Sequence, residues 1–176
     1  MTKFVAFLRG INVGGHNKIK MQVLRELFSS LGFEKVSTLG ASGNVLFQSP
    51  LPSSKLIDLI ELKLLKFAKS EVKVMLRSRE QLQEIIKLQP FKKNKDASAT
   101  EYATFLHSSP AGLLSLPVAS KNGDVEVLSV KGLDVFSLAR VVSGRGGYPN
   151  GFIETKLKVP ATTRNWGVVK EIVEKL

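Results

Sequence analysis

A glycine-rich segment with polar side chains directly follows the apolar run at residues 2–8. The residues of this segment that could bind a ligand are Arg9, Asn12, Gly14, Gly15, His16 and Lys18. Glycines let the backbone adopt positive φ and approach a ligand closely, and the polar side chains supply donors for an anion. The segment therefore predicts an anion-binding site, in which each charged hydrogen bond contributes about 1.5–3 kcal/mol.

The segment also resembles a phosphate-binding P-loop, because four residues separate Gly10 from Gly15 after a predicted strand. However, His16 and Asn17 occupy the positions where that motif requires Lys and Ser or Thr. The sequence therefore does not predict an NTPase. Two interpretations are left open: a looser nest of main-chain amides that holds an anion, or a glycine pair that only turns the chain.

Ser42 and Asn44 form a second polar group around Gly43, between two predicted strands. In an antiparallel sheet whose first and third strands are central, the exit of the first meets the entrance of the third. We therefore expect Ser42 and Asn44 to converge with the first glycine-rich segment. A turn that uses Gly and Asn only for their backbone freedom would explain Gly43 as well.

A third group precedes the last predicted helix, and its candidate ligand-binding residues are Lys156, Arg164, Asn165 and Trp166. Thr162, Thr163 or Asn165 can cap that helix, and Trp166 can be an ordinary core residue. Arg164 is different, because a cation beside a helix N-terminus opposes the macrodipole unless an acid or a bound anion compensates it.

Hydrophobic periodicity predicts the elements that must position these groups. Residues 1–78 follow the order β-α-β-β-α-β of a ferredoxin-like plait, whose two helices cover one face of an antiparallel sheet. The other face then needs cover from a second half or from a partner. A capping box at 78–81 precedes the second half, residues 79–176, which shows a divergent β-α-β-β pattern, with a short helix at 111–116, followed by closing helices. The predicted fold is α+β, with two ferredoxin-like (α/β plait) subdomains packed together.

Composition limits the class of protein. The 176 residues include 26 Lys and Arg against 15 Asp and Glu, a formal net charge of +11, and no cysteine. Positive charge of this size favours polyanionic partners but also serves solubility. Without cysteines, a targeting signal or a membrane-length apolar run, the sequence predicts a cytoplasmic protein with no membrane partner.

RNA recognition by stacked bases needs exposed aromatics on the central strands of such a plait. Phe7 and Phe47 lie on those predicted strands, but their alternation with neighbouring residues is typical of a core. The pattern therefore argues against this mode of RNA recognition and leaves non-specific binding of a nucleic-acid backbone open.

Candidate catalytic groups are few. His16 and His107 are the two histidines, and no metal-ligand cluster or nucleophile motif accompanies them. We therefore predict no catalytic residue, cofactor or metal, and leave open whether the protein is an enzyme.

The motifs at 8–16, 42–45 and 161–166 together identify a resemblance. In these motifs and their order the chain closely resembles the bacterial domain-of-unknown-function 1697 family, across essentially its whole length. The resemblance implies a fold of two α/β plaits, and the family carries no established activity.

Three functional hypotheses follow. The first is a binding module for a phosphate-bearing ligand or nucleic acid, whose composite site joins the three polar groups. The second is a small-molecule enzyme that uses His16 as acid or base with Arg164 holding a substrate anion. The third is an assembly protein that forms a homo-oligomer through its uncovered sheet face.

Overall fold

The computed structural model of the chain describes residues 1–13, 18–110, 112 and 114–176. These residues form two compact units. The first unit comprises Met1–Gln83 together with Ile172–Leu176, and the second comprises Glu84–Glu171. The chain therefore passes from the first unit to the second and returns.

The first unit contains one four-stranded sheet and two helices between its strands. In chain order they are β1 (Thr2–Leu8), α1 (Met21–Ser29), β2 (Glu34–Leu39), β3 (Asn44–Ser49), α2 (Ser53–Ala68) and β4 (Val74–Ser78). The strand order is β2-β3-β1-β4, and every neighbouring pair is antiparallel. This is the order of a ferredoxin-like plait, as the sequence predicts.

Alternation along the central strands explains why both helices pack on one sheet face. Phe4, Ala6 and Leu8 of β1 share a core with side chains from α1 and α2. Phe47 is central to it, because its ring stacks on Phe33 at a centroid distance of 4.6 Å. With Phe7 and Phe47 at most 1% exposed, the prediction that both are core residues is confirmed.

The opposite face of this sheet is also buried. Val5, Phe7 and Met75 point away from the helices and are 0–1% exposed. The sequence predicts that this helix-free face is covered by a second half or by a partner. In the single chain the face is already buried.

Helix α3 (Arg79–Lys87) begins at the predicted capping box. The Ser78 amide donates to Gln81 Oε1 at 2.8 Å, and the Gln81 amide donates to Ser78 Oγ at 3.3 Å. The reciprocal pair satisfies two main-chain donors that a helix start otherwise leaves open, so the capping box is confirmed.

The second unit is built on a five-stranded antiparallel sheet of order β11-β5-β8-β7-β6. Its elements are β5 (Thr100–Leu106), β6 (Val118–Ala119), β7 (Val125–Lys131), β8 (Asp134–Ala139), β9 (Val141–Val142), β10 (Arg145–Gly146), α4 (Pro149–Leu157), β11 (Ala161–Asn165) and α5 (Trp166–Lys175). Without β6 the order equals that of the first sheet, so the divergent second plait is confirmed.

The divergence lies between β5 and β7, where a regular plait has its first helix. The helix predicted at 111–116 is not found in the described residues of that range, 112 and 114–116, and β6 follows them instead. Pro110 and Pro117 bracket this range, and proline lacks the amide that helical hydrogen bonding requires.

Helix α4 covers one face of the second sheet. Ile153 and Leu157 pack there against Leu106 and Val135, and all four side chains are at most 3% exposed. Across the described ranges, none of the helices combines the length and the apolar character that crossing a membrane requires.

Candidate anion-binding site

The end of β1 and the turn between β2 and β3 meet, as the antiparallel topology predicts. The Leu8 amide donates to the Gly43 carbonyl at 2.9 Å, and Asn12 Nδ2 donates to the Ala41 carbonyl at 2.9 Å. We call the meeting point of residues 8–12, 18–19 and 41–44 the junction. The predicted convergence of these two loops is therefore confirmed.

Asn12 holds the junction together. Its amide nitrogen also donates to the Ile19 carbonyl at 3.1 Å, and its Oδ1 accepts the Ile19 amide at 2.9 Å. Asn12 has φ +55, a conformation that asparagine adopts more readily than most residues. Because both amide hydrogens are donated within the fold, the structure gives this side chain a supporting role, and a ligand contact from it stays a prediction.

Gly43 allows the two loops to approach closely. It has φ +75, and a Cβ placed there would lie 2.5 Å from Ile11 Cδ1 and 2.9 Å from Leu8 Cβ. The turn thus requires glycine both for its backbone conformation and for the space beside Ile11.

The exposed polar residues of the junction lie beside these hydrogen bonds. Arg9 follows Leu8, Lys18 precedes Ile19 and Ser42 precedes Gly43, and all three are exposed. In contrast, Asn44 is only 2% exposed, and its Nδ2 donates to the Leu39 carbonyl at 3.0 Å. The junction therefore presents two cations and a hydroxyl on backbone that hydrogen bonds hold in place.

Lys73 borders the junction, since its carbonyl accepts the Arg9 amide at 2.9 Å. Its ammonium pairs with Glu71 at 2.7 Å and with Glu61 at 3.3 Å. The hydrogen bond to Glu71 and the charge of Glu61 raise the pKa of Lys73. We therefore do not assign this cation to ligand binding. The sequence-predicted residues Gly14, Gly15 and His16 lie outside the described residues.

The remaining predicted residues belong to the second unit. Lys156 is exposed on α4, with its Nζ 5.7 Å from the centroid of the Phe152 ring. Asn165 caps α5, because its Oδ1 accepts the Gly167 amide at 2.9 Å. The helix-capping interpretation is therefore confirmed for Asn165, and a ligand contact from Lys156 or Asn165 stays a prediction.

Arg164 is buried, with 8% of its surface exposed. Its guanidinium donates to Thr162 Oγ1 at 2.7 Å and to the Thr163 carbonyl at 2.9 Å. Burial lowers the pKa of Arg164 to about 10, so the side chain keeps its charge at neutral pH. A contact between this buried cation and a ligand is a prediction from the sequence that the geometry leaves open.

Thr163 lies at the centre of a buried network that the sequence did not reveal. Its hydroxyl donates to Asn150 Oδ1 at 3.0 Å and lies 2.7 Å from Thr104 Oγ1. Since a hydroxyl has a single proton, Thr104 must be the donor in the second bond. The network ties β5 and β11 to the first turn of α4, and consecutive threonines gave no signal that distinguished it from a helix cap.

Trp166 is 7% exposed and contacts two rings edge-on, Phe91 at 5.4 Å and Phe136 at 5.9 Å between centroids. It also lines a cavity of about 330 Å³ with Phe91, Lys92, Glu101 and Lys170 among its other lining residues. The core interpretation of Trp166 is thus confirmed, while Phe91 and Lys170 are cavity residues that sequence reasoning missed.

Metal chemistry finds no support in the described parts of the chain, 1–13, 18–110, 112 and 114–176. No group of three or more His, Asp and Glu side chains is placed there to hold a metal ion.

The fold and the junction define the class of protein: a two-subdomain α+β protein in which a ferredoxin-like plait carries a polar loop junction. The family model for "Protein of unknown function (DUF1697)" matches residues 1–136. The chain belongs to the DUF1697 family.

One solved structure has a similar fold along nearly the whole chain. It is that of the conserved bacterial protein SP0830 from Streptococcus pneumoniae, which is 25% identical and superposes with a TM-score of 0.70. The match covers 98% of this chain and 97% of that one. Its similarity supports a conserved two-subdomain fold. No functionally curated protein matches the chain significantly.

Proposed function

We propose that the protein is a binding module for a phosphate-bearing ligand or a nucleic acid. The observation that carries the proposal is the junction, where Asn12 ties Ala41 and Ile19 together. Arg9 is next to Leu8 in the sequence, and Lys18 is next to Ile19. Ser42 lies between Ala41 and Gly43. Each of these neighbours makes a main-chain hydrogen bond at the junction. A phosphate group accepts hydrogen bonds from cationic side chains and hydroxyls, and the junction offers two such cations and one hydroxyl on a hydrogen-bonded backbone.

Local charge supports the proposal. Residues 1–50 contain six basic and two acidic residues, a balance of +4. A positive surface raises the local concentration of anions and speeds their association. In nucleic-acid binding the same charges release counterions, so affinity falls as salt rises.

The test uses pyrophosphate, nucleotides, and labelled DNA and RNA oligonucleotides, each titrated at a low and a moderate salt concentration. We expect Arg9→Ala and Lys18→Ala each to weaken binding about tenfold, which corresponds to about 1.4 kcal/mol. If the ligand is a nucleic acid, losing one phosphate contact also lowers the slope of log affinity against log salt by about one.

Lys55→Ala is the matched control. Lys55 is exposed in the first turn of α2, which follows the end of β3 and not its start at the junction. Removing it lowers the net charge by the same amount as Lys18→Ala. Equal weakening by both variants, or no binding of any probe at low salt, would contradict the proposal.

The other two hypotheses keep their own tests. The enzyme hypothesis depends on His16, outside the described residues, and turnover of a metabolite that His16→Ala abolishes would support it. Dimerisation through the first sheet is a hypothesis about a face whose residues Val5 and Phe7 are already buried in a single chain. A strict monomer in light scattering at high concentration would count against it.

A further inference from the structure

The cavity of about 330 Å³ beside Trp166 is a second candidate site. Its lining comes from the end of α3, the loop that follows it, the start of β5 and the first turns of α5. All of its lining residues belong to the second unit, whereas the junction belongs to the first. Binding pockets for small molecules occupy about 300–1,000 Å³, so this cavity has the size for one small ligand.

Two aromatic rings form an aromatic wall of the cavity, Phe91 and Trp166. They contact each other edge-on, and Phe136 contacts both, at centroid distances of 5.9 Å from Trp166 and 6.1 Å from Phe91. Because the three rings pack against one another, the orientation of the wall is fixed before a ligand binds. Each wall residue is 7% exposed, so a flat aromatic ligand would meet the ring edges, in the edge-to-face geometry that aromatic pairs favour.

Charged groups of both signs complete the lining. Lys92 and Lys170 line the cavity together with Glu101. Within residues 1–13, 18–110, 112 and 114–176, neither ammonium group has an ion-pair partner. Both lysines are exposed, so they can donate charged hydrogen bonds to an anionic ligand.

The loop before β5 positions the carboxylate of Glu101. Asn94 Nδ2 donates to Glu101 Oε1 at 3.2 Å, and the Asn94 main-chain amide donates to the Phe91 carbonyl at 2.9 Å. These two bonds connect the carboxylate to the aromatic wall through one residue. Since a carboxylate only accepts hydrogen bonds, Glu101 favours a ligand that carries N–H donors.

A flat ring, an amino group and a phosphate are the features that these groups recognise, and a nucleotide can carry all three. Guanine, adenine and cytosine have an exocyclic amino group, and uracil has none. We propose that the cavity beside Trp166 binds a nucleobase with an amino group, and that Lys92 and Lys170 contact the phosphate of the same nucleotide. This site goes beyond the proposed function, because it does not depend on the junction. A free nucleotide and a nucleotide within a strand share this chemistry.

Fluorescence titration of the full chain tests the site, because Trp166 is the single tryptophan. The ligands are GMP, AMP, CMP and UMP at constant ionic strength, with ribose 5-phosphate as the ligand without a base. We expect GMP, AMP and CMP to change the emission at concentrations about tenfold lower than UMP, the effect of one hydrogen bond to a charged acceptor. Ribose 5-phosphate should leave the emission unchanged.

Lysine variants test the contacts with the phosphate. Lys92→Gln and Lys170→Gln should each weaken GMP binding about tenfold, because each removes a charged hydrogen bond. Lys121→Gln is the matched control. Lys121 is exposed beside β6, at the edge of the second sheet opposite to β11, and its loss changes the net charge by the same amount. Arg9→Ala, which tests the junction, should leave this emission change as it is in the wild type.

Glu101→Gln separates recognition of the base from attraction of charge. Glutamine keeps the size of the side chain and adds N–H donors, so the preference for GMP over UMP should be lost. A short single-stranded RNA that binds more tightly than GMP identifies a strand as the source of the base, and equal affinity identifies a free nucleotide. The proposal is overturned if no nucleotide changes the emission of the folded wild type, if UMP or ribose 5-phosphate acts as GMP does, or if Lys121→Gln weakens binding as much as the two cavity variants.

Discussion

Asn12 illustrates how a residue chosen for its ligand chemistry can also serve the fold. The sequence singled it out among polar residues of a glycine-rich loop, and its amide proves to bridge two loops. Side chains that bond to the backbone look the same in a sequence as side chains that bond to a ligand. Arg9 and Lys18 are exposed, and a ligand contact from them stays a prediction.

Gly43→Ala should destabilise the protein strongly. The new methyl group would overlap Ile11 and Leu8, and alanine would also be strained at φ +75. Overpacking adds about 1–3 kcal/mol to a backbone cost of about 1–2 kcal/mol. The measurement is the free energy of unfolding in urea, followed by circular dichroism.

Gly40→Ala is the control for this substitution. Gly40 has φ +64, but no atom lies within 4 Å of the added methyl group. The free energy of unfolding of Gly40→Ala should therefore fall only by the cost of the strained backbone. Equal destabilisation by the two variants would show that the contact with Ile11 does not constrain the turn.

At the scale of elements, an ion-pair cluster links the segment before β5 to β7 and to the end of β8. Arg140 donates to Asp96 at 2.7 Å and to Glu126 at 3.0 Å. The Asp96 carboxylate also accepts the Ser98 hydroxyl at 2.6 Å. The hydrogen bond from Ser98 and, next in size, that from Arg140 lower the pKa of Asp96 to about 2.

The pH dependence follows from the direction of this shift. The pKa of Asp96 is lower in the folded state than its ordinary value of 3.8, so its contribution to stability is present above about pH 4 and is lost as the pH falls towards 2. The urea midpoint of the wild type should therefore fall more steeply between about pH 4 and pH 2 than that of Asp96→Asn. Parallel pH profiles would show that the pairing does not stabilise the fold.

The order of elements was the part of the fold that the sequence predicted best. Helical spacing located α1 and α2, and mostly apolar runs located the strands, of which the central β1 and β3 are buried on both faces. The helix prediction at 111–116 was wrong because a short apolar run between prolines has no periodicity that distinguishes a helix from an irregular loop. The register shift of β2 against β3, between Glu34 and Ser37, was also unpredictable, since bulges depend on the partner strand.

At the scale of the whole molecule, the net charge of +11 gives salt two opposite effects. Raising the salt concentration from about 0.01 M to 0.15 M shortens the Debye length from about 30 Å to 8 Å. Screening weakens anion binding but also relieves repulsion among the protein's own charges. We expect the melting temperature to rise by roughly 2–4 °C per kcal/mol of relieved repulsion over this range.

A charge-reduced variant checks this expectation. Lys66→Glu combined with Lys69→Glu replaces two positive charges by two negative ones and lowers the net charge from +11 to +7. Its melting temperature should rise less with salt than that of the wild type. The same rise in both proteins would assign the effect to something other than net charge.

The return of residues 172–176 to the first unit has a consequence for how the chain folds during synthesis. The first 83 residues leave the ribosome early, but the five residues that complete their unit follow the whole of the second unit. The first unit therefore lacks its last five residues while 88 further residues, 84–171, are made. Pairing across such a sequence distance slows folding, so a ribosome-bound nascent chain ending before residue 172 should expose the first unit to protease longer than the released protein does.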